Sequence, residues 1–260
     1  MNNEINQELA KELVAQTAGK TYDDVAHPTA HAVGQIISFV PRTIKVWLGK
    51  WEKWILNGEY AIKETEKLLA EKLKGIPEDK IVEPEPYVAV PAIQQLSYSI
   101  DNPDLREMYA NLLAASMNTD TKWNVHPSFV DIVRQLTPDE AKLLKYLSAH
   151  PQQPIIDVVH NLPNNTGYIE VARRFTNISE SICDNINGIY AYLDNLERLK
   201  LIEFPEGTYL TKDELYLPLK NHPAIKNIMK QTLPEGETME IQKGKFFVTA
   251  FGKEFIKICL

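Results

Sequence analysis

Between Asp101 and Leu147 the chain carries three helix-start signals, and that density commits its middle to helix. Asn102 precedes Pro103, and proline costs nothing at the first helical position because that N–H has no intrahelical partner. His126 and Pro127 open a second helix. Thr137, Pro138 and Glu140 form a capping-box pattern for a third, in which each side chain takes a backbone N–H that the helix leaves open. Apolar residues follow each start at helical spacing: Leu105, Met108, Tyr109, Leu112 and Leu113, then Phe129, Ile132, Val133 and Leu136, then Leu143, Leu144 and Leu147.

Upstream, residues 4–18 carry a short apolar stripe, and residues 19–30 read as a linker. Residues 42–56 place Ile44, Trp47, Leu48, Trp51, Trp54 and Ile55 on one helical face. Arg42, Lys45, Lys50 and Lys53 rim that face, opposed by Glu52 alone. Such a face suits either a core or a membrane interface. Residues 59–74 predict a charged helix with Ile62, Leu68, Leu69 and Leu73 inward, and Gly75 is placed to cap it. Residues 76–91 form a proline-rich connector, and helix is expected to resume near Pro91 and reach Tyr98.

The composition changes after Ala149. Strands are expected at 155–159 and 168–175, joined by the turn-rich segment LPNNTG. The adjacent Arg173 and Arg174 should alternate across their strand, one exposed and one covering apolar surface with its stem. Residues 178–200 predict one helix carrying Ile182, Ile186, Ile189, Tyr190, Leu193, Leu196 and Leu199. A short strand follows at 201–204, then one or two helices within 209–231. Lys243 and Gly244 are expected to turn a hairpin between 238–242 and 245–249, before a last helix beyond Gly252.

Read together, these elements give an α+β chain that is mostly α. A helical N-terminal half precedes a winged-helix-like C-terminal domain with short hairpins. The expected units are 1–30, a helix and linker; 31–136, a helical domain that includes the connector 76–91; and 137–260, the α+β domain.

Chemistry is harder to find. The two cysteines, Cys183 and Cys259, are far apart, so neither a zinc cluster nor a disulfide framework is expected, which fits a reducing cytoplasm. The P-loop, dinucleotide-binding, HExxH and Gly-x-Ser-x-Gly patterns are missing, so no cofactor or catalytic residue is assigned. His126 reads as a helix-start residue whose ring caps backbone. Asp101, Asp104 and Glu107 read as first-turn acids that favour the helix dipole. A net charge of -7 argues against nucleic acid, as do Glu180, Asp184, Asp194 and Glu197 along the expected 178–200 helix. No signal-peptide pattern and no apolar run of about 18 residues is present.

The segments DLREMYANLLAASMNT, VHPSFVDIVRQLTPDEAKLLKYL, YLDNLERLKLIEF and VTAFGKEFIKICL, in that order, resemble the Abi-alpha family, bacterial proteins named for abortive infection. The resemblance runs from about Val33 onward, and HPSFVDIVRQLTPDEAKLL is its most specific block. It implies a role in defence against phage and brings no catalytic residues with it. The expectation is a cytoplasmic, non-enzymatic protein acting on a protein partner of unknown identity. Peripheral membrane contact through the tryptophan face is the alternative, a DNA-binding regulator ranks below both, and self-association is left open.

Overall fold

The structure, a computed structural model, describes residues 46, 47, 49, 58–99 and 101–260. Helix α1 spans Gly58–Leu73, α2 Pro86–Tyr98, α3 Pro103–Ser116, α4 Ser128–Arg134 and α5 Pro138–Ala149. Strands β1 (Gln152–Asn161) and β2 (Tyr168–Phe175) follow, then α6 (Ile189–Arg198) and the two-residue β3 (Ile202–Glu203). Short helices α7 (Leu217–Asn221) and α8 (Pro223–Met229) precede β4 (Thr238–Val248) and α9 (Ala250–Cys259).

The helical starts form as the sequence dictates. The Asn102 side chain accepts the Leu105 N–H, and Thr137 with Glu140 makes the full reciprocal capping box. Helix α2 begins at Pro86, earlier than expected. Pro86 sits in the first turn, and Pro91 inside the helix removes one hydrogen bond near its start. Burial of Ala89, Ala92, Ile93 and Leu96 offsets that loss. Gly75 is not among the glycines with left-handed backbone, so α1 ends in a simple turn, with the Ile76 N–H on the Leu73 carbonyl, and not in a glycine cap.

The sheet is antiparallel with strand order β2-β1-β4-β3. β1 pairs with β4 along its whole length, from Gln152 opposite Phe247 to Asn161 opposite Thr238. The expected hairpin at Lys243 and Gly244 is therefore not made, and 238–248 is one strand. Gly244 serves close approach here, because a Cβ would meet the Ile155 side chain at 3.0 and 3.2 Å. The expected helix over 178–200 is also broken. Its first part is two 3-10 turns, Ile178–Ser181 and Ile186–Gly188, and α-helix begins only at Ile189.

Alternation along β1 divides the interior. Ile155 joins a large core with Phe246, Val248 and the buried faces of α1 to α6 and α9. Ile156 and Val158 point the other way, onto Tyr216, Leu219 and Ile225. The larger core runs without a break from Leu69 through Leu136 and Ala141 to Cys259.

Candidate functional site

The features that could act on another molecule lie where β2 is irregular. Ile156 pairs with Phe175 and Val158 with Ala172, so Arg173 and Arg174 both stand opposite Asp157. This bulge overturns the expected alternation of the two arginines, since one extra residue brings both to the Asp157 side. Arg174 takes the left-handed conformation, φ 52, which is uncommon for a residue with a Cβ. Three contacts hold it there. Its backbone N–H donates to the Asp157 carboxylate. Its guanidinium donates to both Glu197 oxygens, at 2.6 and 3.4 Å. Its planar head lies 3.9 Å over the Phe204 ring.

Above this bulge opens a groove of about 360 Å³. Its floor is the Asp157 face of β1 and β2, its wall is the loop 204–208, and its far side is residues 242–245 of β4. Gly207, at φ 64, makes the turn that lets the loop leave β3, and the Thr208 hydroxyl donates to the Pro205 carbonyl to close it. Among the described residues, Arg173, Glu170, Glu206 and Lys245 line this groove without an ion pair. Tyr168 and Arg173 are exposed at its rim. The lining can bind charged and hydrogen-bonding groups of both signs.

A second charged cluster lies under the start of α5, and it is closed. The buried Asp139 accepts the Asp184 and Asn185 backbone N–H groups, each at 2.9 Å, the Tyr192 hydroxyl at 3.1 Å and the Lys142 ammonium at 3.4 Å. Burial pushes its carboxyl up, but these four donors outweigh burial and hold it below the ordinary carboxylate range. Glu140 takes the Thr137 N–H with one oxygen and the Asn195 amide with the other. This network explains the broken helix at 178–188: Asp139 captures the 184–185 backbone that a continuous helix would need. Burial beside Asp139 pushes the Cys183 thiol up to about 11, away from nucleophilic use.

Of the residues singled out in sequence, Trp47 is half-buried against the larger core, next to Val46, which is 54% exposed. Ile44, Leu48, Trp51, Trp54, Ile55, Arg42, Lys45, Lys50 and Lys53 lie outside the described residues. His126 caps α4 through its ring: its Nδ1 takes the Ser128 N–H at 3.1 Å and also contacts the Ser128 hydroxyl. Glu107 pairs with Lys72 at 2.8 Å. Among the described residues, no cluster of three His, Cys, Asp or Glu could hold a metal, and no helix is long and apolar enough to cross a membrane. The groove itself was missed in sequence. Its one local sign was the arginine pair, and the bulge that unites them depends on a partner strand.

A model of the family described as abortive infection alpha matches residues 57–259, most of the chain. No curated protein matches it. Among solved structures, an uncharacterized protein from the hydrocarbon-degrading marine bacterium Alcanivorax borkumensis SK2 is similar at 15% identity. That match covers 54% of this chain and 94% of the other, with a TM-score of 0.31.

Proposed function

Because the chain belongs to the abortive infection alpha family, we propose that it serves abortive infection, a defence against phage, and does so by binding a protein partner and not by catalysis. The family match carries the first half of this reading. The groove supports the second. Its charged groups of both signs, the exposed Tyr168 and the strained but firmly held Arg174 form a prepared surface, and strained backbone gathers at binding sites. The test is efficiency of plating. Bacteria expressing the chain should lower the plaque count of a susceptible phage panel, and Arg173→Ala with Glu170→Ala should restore plaques while the protein stays folded. Plaque counts equal with and without the wild-type chain across the panel would sink the defence reading.

The tryptophan face is a second proposed contact, with a partner or with a membrane surface. Trp47, the one described residue of that face, is only half-buried against the larger core, and its uncovered part supports such a contact. Flotation with anionic vesicles tests it: a Trp47→Glu, Trp51→Glu variant should lose any binding that wild type has. We also read the C-terminal half as winged-helix-like, on the support of α6 leading into β3 and of β3 pairing with β4. Nucleic acid is not the partner proposed. Helix α6 carries Asp194 and Glu197 against Arg198 alone, so it offers a phosphate backbone no net positive charge.

A further inference from the structure

We infer that this chain pairs with a second copy of itself along the outer edge of β2, antiparallel strand to strand, with Ile169 on the two-fold axis. The inference goes beyond the defence reading and does not depend on it. β2 is an end strand of the sheet, whose order is β2-β1-β4-β3. Successive residues of a strand face opposite sides, so a strand packed on one face exposes only every other residue. Here Tyr168, Ile169 and Val171 are 59, 52 and 39% exposed, and Glu170 among them is exposed too. Neither face of this stretch is packed.

The direction of its backbone follows from the hairpin. The Leu162 N–H bonds the Gly167 carbonyl, so that pair turns its backbone groups toward each other. Asn161 opposite Tyr168, His160 opposite Ile169 and Val159 opposite Glu170 continue the register without a shift. Directions alternate along an antiparallel ladder, so Tyr168 and Glu170 turn their N–H and carbonyl groups away from β1. Among the described residues, no strand and no turn hydrogen bond meets them there. Natural edges are blunted by lysine, proline or bulges. The register shifts of β2 fall beyond Glu170, and residues 167–170 hold neither lysine nor proline.

A strand laid on so short an edge must end where the bulges begin. A second copy does so, because its own bulge then falls opposite the turn that precedes β2. Outward residues must meet outward residues. Centring the pair on Tyr168 would set strand against turn, and centring it on Glu170 would set two carboxylates face to face, which repels. Centring on Ile169 places each Tyr168 opposite Glu170 of the second copy, a hydroxyl donor beside a carboxylate acceptor, with both backbone bonds exchanged. Ile169 then meets its own copy in a non-hydrogen-bonded pair, where side chains approach most closely, and its exposed apolar surface is covered. Tyr168 and Glu170 also line the groove, so pairing sets two grooves side by side, each with the other copy's Tyr168 and Glu170 at its rim.

The overlap is small beside a standard interface, so the dimer should form at micromolar concentration and above. Sedimentation velocity of the full chain should show the mass doubling as concentration rises through that range. Ile169→Lys puts two ammonium groups on the axis and should raise the dissociation constant by about tenfold or more. Ile169→Cys, oxidised with diamide, should give a disulfide-linked dimer, because Cα atoms in such a pair lie about 4.5 Å apart, within disulfide reach. Tyr168→Cys, equally exposed but off the axis, should not. Wild type supplies the background, with Cys183 half-buried and Cys259 buried. Should Ile169→Lys fail to fold, the two cysteine variants still decide. The inference is overturned by a monomer at every concentration, by a dimer that Ile169→Lys leaves intact, or by equal cross-linking at the two positions. A chain that dimerises at this edge without restricting phage supports the inference and removes the defence reading alone.

Discussion

Helix α6 touches two charged clusters, and they are settled in opposite ways. Toward α5 it presents Tyr192 and Asn195, which complete the bonding of Asp139 and Glu140. Toward the sheet it presents Glu197, which holds Arg174, while Arg173 next to it is left to solvent. The first cluster is buried and every carboxylate oxygen in it has a donor, as a low-dielectric interior demands. The second is half open, and among the described residues part of its charge has no ion pair. A buried, completed network is what holds a fold together; an open one with spare bonding capacity is what meets another molecule.

The comparison breaks first at Asp139. Asp139→Ala leaves two backbone N–H groups and a tyrosine hydroxyl without an acceptor, and should cost about 3 kcal/mol in urea unfolding. A cost under about 1 kcal/mol would show that the network is not structural. The same residue sets an acid limb. Its folded value lies below its unfolded value, so its contribution is fully present above about pH 4, where the unfolded chain has ionised, and is lost as pH falls through the folded value. Unfolding midpoints of wild type should decline through that window, and those of Asp139→Ala should decline less.

Next in size, Arg174→Ala removes the bonds to Glu197 and the stacking on Phe204 at a partly exposed site, and should cost about 1 to 2 kcal/mol by thermal melting. Thr137→Ala removes one half of the capping box, for about 1 kcal/mol. Arg173→Ala, the neighbour in the same bulge, should change stability by less than about 0.5 kcal/mol. If Arg173 and Arg174 prove equal, the division into a holding and a free arginine fails.

Helix starts were legible because their physics is local. Asn102, Thr137, Pro138 and Glu140 act on backbone within one turn of themselves, and His126 acts on Ser128. The interruption at 178–188 was hidden, since the apolar spacing of Ile182, Ile186 and Ile189 runs on unbroken while the competing acceptor, Asp139, comes from another helix. Gly244 was read as a turn because glycine most often marks one. Its reason is the Ile155 side chain, reached only through the β1–β4 pairing. The groove shares that origin: two arginines meet on one side because Asp157 stands across from both.

The long β1–β4 register also bears on how the molecule is made. β1 can meet β2 through a short local turn, but its other edge must wait for a strand on the far side of β2, α6, β3, α7 and α8. Such pairing closes a long loop before any contact rewards it, and chains dominated by it reach the native state slowly. Until β4 arrives, Ile155 and Ile156 lack the strand that frames both cores, and the open edge of β1 is the segment most prone to pair with another nascent chain. Refolding at rising protein concentration should therefore lose yield first through this strand.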